Sequence, residues 1–294
     1  MTPVVLTHLP MVLVVLVIAA LVSGAVAAAA AARYPAGGAG PSRRTGRLAA
    51  RLDPEAATGL ALTLALAVLV CGGLVLAVLT FVVRTDADAI GIDASAAAWG
   101  ARHATPATTD VLDAITFVGR PGSIVVLAVI LGIVETVRTR SRWVIPFLLL
   151  VVAGNGILTT TIKQLADRVR PALNPVAATL GPSFPSGHSS WSAAFFAAAA
   201  LLLARVRGRH LRIVLAGVAA GAAVAIATTR VLLDVHWVSD VVAGLALGWA
   251  WFAACAIAFG GRLLRFGAEA EARGARGGGA GAVPRGSVAP RRAP

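Results

Sequence analysis

The sequence has few charged residues and few of the residues that build disulfides or metal sites. Only 13% of its 294 residues are charged, and a single lysine stands among 26 basic residues. Soluble domains carry about a quarter charged residues, so this composition argues against a soluble globular fold. The chain has two cysteines, Cys71 and Cys255, and both lie inside apolar runs. We therefore expect no disulfide and no cysteine metal site.

Apolar sequence is what the chain has in abundance. Hydrophobic residues make up 58% of it, and the mean hydropathy is +0.84. Several apolar runs reach about 20 residues, the length an α-helix needs to cross the hydrocarbon core of a bilayer. The strands of a transmembrane barrel would be about 10 residues long and would alternate between polar and apolar residues. These runs are longer and do not alternate, so a barrel is disfavoured. The sequence predicts an all-α fold, a polytopic membrane helical bundle.

The apolar runs divide the chain into four parts. We expect an N-terminal hydrophobic helix in 1–33, a Gly/Pro/Arg linker in 34–56, a transmembrane domain in 57–260 and a disordered tail in 261–294. The run 9–32 could instead be a cleaved signal peptide. No basic segment precedes it and it is long for a signal sequence, so a membrane helix is favoured, although its retention stays open.

The transmembrane domain is predicted to hold six spans and one surface helix. The spans are expected at about 57–83, 112–135, 143–162, 188–204, 211–229 and 240–260. The segment 84–110 mixes acidic, basic and aromatic residues, so a loop with a short amphipathic helix on the membrane surface is predicted there.

The distribution of basic residues predicts the orientation. Alternation of the spans puts the loops 84–110, 163–187 and 230–240 on one face, with 7 basic residues when Arg120 beside the first loop is counted, and leaves 19 on the other face. The more basic face is expected to be cytoplasmic. The protein is thus predicted to be a multi-pass plasma-membrane protein with a cytoplasmic C-terminus. These topology signals account for the net charge of +13 without nucleic-acid binding.

Three polar clusters lie in the loops of the less basic face. In the first, Lys163 and Arg170 are seven residues apart, about two helical turns, so both can point the same way before Pro171 ends the element. Two cations on one face suit an anion, although a basic flank of a membrane span would look similar. Arg168 is expected to be a surface partner of Asp167 or of lipid head groups.

The second cluster is Pro185-Ser186-Gly187-His188, directly before an apolar helix. Serine is a good N-cap and glycine lets a ligand approach the backbone closely. The free N–H groups of a helix start attract anions, and His188 would stand beside them, placed to donate a proton. The alternative is an ordinary helix cap with a bystander histidine.

The third cluster is Thr229-Arg230, followed by His236 and Asp240. The last two are four residues apart and would share a helix face, so the carboxylate can hold one imidazole nitrogen and leave the other free to attack. The planar fork of Arg230 suits a phosphate. A snorkelling arginine with an interfacial histidine is the alternative. Together the clusters supply the groups that phosphoryl transfer without a metal needs.

The pattern Lys-x6-Arg-Pro, Pro-Ser-Gly-His and Arg-x5-His-x3-Asp resembles the type 2 phosphatidic acid phosphatase (PAP2) superfamily, in its membrane lipid phosphatase branch. The resemblance covers about 57–260, and the three motifs occur in the family's order. Thr229 stands where the family usually has serine, and it keeps the hydroxyl. The segment 9–32 is extra to the six-helix core of that family.

The resemblance implies a site and a mechanism. The residues implied to bind the substrate phosphate are Lys163, Arg170, Ser186, Gly187 and Arg230. His236 would attack phosphorus and become a phosphohistidine, and Asp240 would orient it. His188 would protonate the leaving oxygen and then activate water. No metal or other cofactor is implied.

The implied function is hydrolysis of a lipid phosphate or a polyprenyl diphosphate, such as undecaprenyl diphosphate, at the extracytoplasmic face. The sequence does not choose among these lipids and leaves the oligomeric state open. A lipid-linked phosphotransferase with the same phosphoenzyme is the main alternative. A transporter is less favoured, because the polar groups cluster at one face and no pair of broken mid-membrane helices is evident.

Overall fold

The fold is all-α, as predicted, throughout the part of the chain that the structure describes. The computed structural model describes residues 54–85, 91–103, 105–171, 181–205 and 207–263. These residues form eight helices: α1 (Pro54–Thr85), α2 (Gly91–His103), α3 (Pro106–Val118), α4 (Pro121–Thr139), α5 (Val144–Ala166), α6 (Gly187–Ala204), α7 (Arg209–Leu232) and α8 (Val238–Leu263). The predicted N-terminal helix, nearly all of the linker and nearly all of the tail lie outside the described residues.

Six of these helices are long and apolar enough to cross a membrane. They are α1, α4, α5, α6, α7 and α8, each with 18 to 23 residues in its apolar stretch. This confirms the predicted multi-pass bundle. The surface helix expected within 84–110 corresponds to α2, which buries Asp93, Ala97 and Gly100 and exposes most of its other residues.

One predicted span was wrong. Residues 112–135 were expected to form a single helix, but the chain breaks between α3 and α4. Pro121 begins α4, and proline has no N–H with which to continue the hydrogen bonds of α3. The break also brings Gly119 against α7, where a Cβ on that glycine would lie 2.3 Å from a side-chain methyl of Ile226. The turn therefore needs a residue without a side chain at this position.

Helices α6 and α8 touch each other backbone to backbone at the centre of the bundle. A Cβ added to Gly244 of α8 would lie 2.5 Å from the carbonyl oxygen of Ser186, and one added to Gly248 would lie 2.3 Å from that of Ser190. Small residues four apart allow this close approach of membrane helices. The contact fixes the first turn of α6 against the first turns of α8.

The two ends of the bundle differ in chemistry. At one end, the fully buried Glu135 pairs with Arg138 and Arg205, next to an apolar core that contains Phe147 and Leu202. At the other end the three predicted polar loops meet, and the Arg84 guanidinium donates to the Leu165 carbonyl at 3.1 Å. The polar clusters thus share one face. Both cysteines are free.

Candidate active site

The turn between α7 and α8 folds His236 back onto Arg230. Helix α7 ends at Leu232, and Asp234 adopts a left-handed conformation with φ of 54°. The N–H groups of Val235 and His236 then both donate to the Arg230 carbonyl at 3.2 Å. His236 precedes α8, so the prediction that His236 and Asp240 share one helix face was wrong, although Asp240 does lie in the first turn of α8.

The two nitrogens of His236 have different partners. Nδ1 lies 3.3 Å from Oδ2 of Asp240, and Nε2 lies 3.2 Å from Nη1 of Arg170. A guanidinium can only donate, so Nε2 must carry the lone pair and Nδ1 the proton that Asp240 accepts. This is the tautomer that a nucleophilic imidazole needs, with its lone pair directed towards a cation.

His236 is only 3% exposed. Burial lowers the pKa of His236 to about 4; the hydrogen bond and the charge of Asp240 oppose this shift, while Arg170 and Lys163 add to it. The imidazole is therefore neutral at physiological pH. A neutral ring whose Nε2 keeps its lone pair can attack an electrophile.

Lys163 and Arg170 converge, but not on one helix face as predicted. Helix α5 ends at Ala166, and Arg170 follows in a segment that is not helical. Lys163 Nζ donates to the Pro182 carbonyl at 2.6 Å, and Arg170 Nη2 donates to the same oxygen at 3.3 Å. Arg170 also donates to the Val235 carbonyl at 2.7 Å, which ties this segment to the α7–α8 turn.

Ser186 is the N-cap of α6, as the sequence predicted. Its N–H donates to the Asp240 carbonyl at 2.9 Å, and its hydroxyl accepts from Ser189 at 3.0 Å rather than capping the helix. The first helical bond of α6 runs from the Ser190 N–H to the Ser186 carbonyl. The N–H groups of Gly187 and His188 precede that bond, so they are available to an anion.

His188 lies half-buried in the first turn of α6. Arg230 and His236 lie close enough to it to interact with its charge. A second imidazole therefore stands beside the one on which Arg170 and Asp240 converge.

Arg230 is buried, and one of its hydrogen-bond donors has no partner among the described residues. It is 7% exposed, its Nη1 lies 3.5 Å from the Thr116 hydroxyl, and its Nε has no hydrogen-bond partner among the described residues. An unsatisfied buried cationic donor is costly, which suits a position that an anion completes. The Thr229 hydroxyl contacts Thr116 and donates to the Ile226 carbonyl, so it helps to join α3 and α7.

The prediction for Arg168 was wrong. Arg168 is 7% exposed and ion-paired to two carboxylates, with Nη1 2.8 Å from Oδ1 of Asp240 and Nη2 2.9 Å from Oδ2 of Asp93. The left-handed conformation of Asp167, φ 44°, ends the preceding helix and turns the chain, so Arg168 points inwards rather than to the surface. Its partner Asp93 is 75 residues away, and no local pattern marks the pair.

Metal ligands were not expected in the site. Within the described ranges, no group of three or more His, Cys, Asp or Glu side chains is placed to hold a metal ion. Metal independence of the reaction stays a prediction, to be tested with chelators.

Comparisons with known proteins find relatives over this part of the chain. The family model of the PAP2 superfamily matches residues 145–263, which include all eight predicted site residues. Phosphatidylglycerophosphatase B of Bacillus subtilis is 33% identical over 148 residues, 49% of this chain and 71% of that protein. Lipid A 1-phosphatase of Rhizobium johnstonii is 35% identical over 135 residues, 41% of this chain and 51% of that protein. The chain thus spans about half the length of the latter relative.

A third relative and a solved structure agree. Decaprenylphosphoryl-5-phosphoribose phosphatase of Mycobacterium tuberculosis is 34% identical over 128 residues, 40% of this chain and 62% of that protein. The crystal structure of a transmembrane PAP2 type phosphatidylglycerolphosphate phosphatase from Bacillus subtilis matches with a TM-score of 0.59 and 27% identity, and covers 67% of this chain and 98% of that one. Motifs, fold and relatives together show that this chain belongs to the PAP2 superfamily.

Proposed function

We propose that the protein is a membrane phosphatase that removes phosphate from a lipid phosphate or polyprenyl diphosphate through a phosphohistidine at His236. The observation that carries this proposal is the pair of contacts on the imidazole. Asp240 accepts from Nδ1, and the Arg170 guanidinium faces Nε2. The three named relatives are all phosphatases of lipid-linked phosphates by name.

In the first step, Nε2 of His236 attacks phosphorus and the bond from phosphorus to the leaving oxygen breaks. His188 gives its proton to that oxygen, so the lipid leaves as a neutral alcohol, or as a monophosphate when the substrate is a diphosphate. Asp240 holds the Nδ1 proton and stabilises the positive charge that the ring acquires. Lys163, Arg170 and Arg230 offset the negative charge on the phosphoryl oxygens.

In the second step, water attacks the phosphohistidine. His188, now without its proton, takes one from the water as the oxygen bonds to phosphorus. The bond from phosphorus to Nε2 breaks, inorganic phosphate leaves, and His236 returns to its neutral form. The N–H groups of Gly187 and His188 supply further donors to the phosphoryl oxygens in both steps.

A lipid substrate is supported by a groove beside the site. Helices α1 and α5 border an apolar groove of about 610 Å³, whose lining includes Gly73, Leu76, Phe81, Ile162 and Leu165, with Arg84 at its end. Its wall at Phe81 and Leu165 is exposed on spanning helices, so it faces lipid. Ile162 precedes Lys163 in the chain. We propose that the hydrocarbon chain lies in this groove while the phosphate enters the site.

The orientation of the site is also a proposal. The excess of basic residues on the opposite face supports an extracytoplasmic site and a cytoplasmic C-terminus. The test is labelling of single-cysteine variants in intact cells. A cysteine replacing the exposed Gly91 should react with an impermeant reagent, and one replacing Arg140 should not.

The catalytic proposal is tested by phosphate release from the purified protein in detergent. The panel is undecaprenyl diphosphate, phosphatidic acid, phosphatidylglycerol phosphate and a soluble phosphomonoester. Release from at least one lipid, lost in His236→Ala, is expected. A brief reaction stopped with base should also leave phosphate on the wild type in an acid-labile linkage. Normal turnover by His236→Ala would refute the nucleophile.

The same assay separates hydrolysis from transfer. A phosphotransferase would form the phosphoenzyme but release little free phosphate until an alcohol, sugar or lipid acceptor is added. Release into water alone supports the hydrolase.

A further inference from the structure

The two carboxylate oxygens of Asp240 have different partners. Oδ2 accepts from the Trp237 N–H at 3.0 Å and faces Nδ1 of His236. Oδ1 accepts from Nη1 of Arg168 at 2.8 Å. Asp240 is fully buried, so protein groups alone determine how its carboxylate is turned.

Arg168 is itself held from the far side. Its Nη2 donates to Asp93 of α2 at 2.9 Å, and its Nη1 also donates to the Ser239 hydroxyl at 2.6 Å. Asp93 in turn accepts from the N–H of Ser239 at 2.9 Å and contacts the hydroxyl of that residue. The three charged residues and Ser239 form one buried network that joins α2, the loop after α5 and the start of α8.

The network lies on the side of Asp240 that faces away from His236. Arg168 contacts Asp240 on the oxygen that faces away from His236, and Trp237 covers its guanidinium at 5.4 Å from the ring centre. A carboxylate with one oxygen held by a guanidinium cannot rotate without breaking a charge-assisted hydrogen bond. Oδ2 therefore stays directed at Nδ1 of His236.

We propose that Arg168, braced by Asp93, is a positioning residue that fixes the orientation of Asp240 and through it the tautomer and attack direction of His236. The inference rests on the proposed function, because it assumes that His236 attacks phosphorus. The proposal also assigns α2 a positioning role, because this short helix supplies Asp93, the carboxylate that anchors Arg168.

A positioning role makes a different prediction from phosphate binding and from a purely structural ion pair. Loss of Arg168 should lower kcat and leave KM and inhibition by inorganic phosphate unchanged, since the residue touches no substrate atom. A phosphate ligand would instead raise KM. A structural ion pair would lower thermal stability without a specific fall in kcat of the folded enzyme.

The experiment compares four variants in the lipid phosphatase assay. Arg168→Gln removes the charge, Arg168→Lys keeps a charge without the planar fork, and Asp93→Asn removes the brace. Arg205→Gln is the matched control: Arg205 is as buried as Arg168 and pairs with the fully buried Glu135 at the other end of the bundle. For each, kcat, KM, the inhibition constant of inorganic phosphate and Tm are measured.

Arg168→Gln is expected to lower kcat by about 10²-fold, the loss typical of a reacting group displaced by about 1 Å. Arg168→Lys should recover only part of this loss. It keeps the charge, but an ammonium cannot hold two carboxylates as a planar fork does. Asp93→Asn should lower kcat by about 10-fold, the lower end of the losses seen for residues that orient a metal ligand, which is a comparable indirect role. Arg205→Gln should lower Tm with kcat unchanged.

The inference is overturned if Arg168→Gln keeps the wild-type kcat, if its KM rises while kcat holds, or if Arg205→Gln loses as much kcat. Should Arg168→Gln fail to fold, wild-type kcat in both Arg168→Lys and Asp93→Asn overturns it. A wild type that releases no phosphate refutes the proposed function and this inference with it. An active wild type beside an equally active Arg168→Gln refutes the inference alone.

Discussion

Gly244→Ala tests how closely the bundle controls the geometry of the site. The added Cβ would lie 2.5 Å from the Ser186 carbonyl oxygen and 2.9 Å from the Cβ of Ser189. Both are at the rigid start of α6, so no flexible side chain can move aside. The substitution must therefore push the first turn of α6 away from α8.

The size of the effect follows from the geometry. The Ser186 carbonyl must retreat by about 1 Å to reach ordinary contact distance. Its N–H is bonded to the Asp240 carbonyl, so the strain falls on the link between α6 and α8. Overpacking of this kind costs about 1 to 3 kcal/mol of stability. A displacement of about 1 Å between His188 and His236 should lower kcat by about 10²-fold.

The assay is phosphate release from the lipid substrate, with Tm measured in parallel. Gly122→Ala in α4 is the matched control, because a Cβ there meets no atom within 4 Å, so kcat should be unchanged and Tm should not fall. Wild-type kcat in Gly244→Ala would show that the contact of α6 with α8 does not set the geometry of catalysis, and would refute the reasoning.

The remaining predictions concern pH, stability, metals and the lipid groove. Because burial lowers the pKa of His236 to about 4, kcat/KM should not fall as pH drops from 7 to 5, and an acid limb near 6.5 would contradict this. Burial raises the pKa of Asp234 to about 6, so folded Asp234 binds its proton more tightly than the unfolded chain does. Stability is then lost as pH rises from about 4 to 6. Asp234→Asn should accordingly raise Tm at pH 8 but not at pH 4, and asparagine tolerates the left-handed conformation there. EDTA should not inhibit, and loss of activity that a divalent ion restores would overturn the metal-free mechanism. Gly73→Leu should narrow the groove and raise KM for the lipid but not for a soluble phosphomonoester. Equal changes in both KM values would refute the proposal that the hydrocarbon chain lies in the groove.

Much of the candidate site could be predicted because its chemistry lies in short, ordered motifs. Pro185 to His188 precede an apolar run, so a helix start was predicted there, and the structure begins α6 at Gly187. The number of spans could be predicted because a bilayer requires long apolar helices, although the span expected at 112–135 begins only at Pro121. The convergence of Lys163 and Arg170 was also predicted, though for the wrong reason.

What the sequence did not predict depends on contacts between distant segments. Helix α5 could have continued past Ala166 on its local pattern, but Asp167 takes a left-handed conformation and the chain turns. Arg168 becomes buried only because Asp93 and Asp240 meet it from other helices. The close contact of α6 with α8 did have a signal in the sequence. Gly244 and Gly248 are four residues apart in an apolar helix, a spacing that indicates close packing of membrane helices.

The site lies at one end of the bundle, so its residues must be held in fixed relative positions without help from the membrane. Charged groups inside a bilayer are costly, so the candidate site residues lie where helices emerge, on segments that a membrane does not hold in place. Here each such segment is bonded to another: Arg168 to the Asp240 carboxylate, the Ser186 N–H to the Asp240 carbonyl, and Arg170 to the Val235 carbonyl. A shift in any one of them strains the others. Substitutions in different motifs should therefore couple rather than add, although the motifs are far apart in sequence.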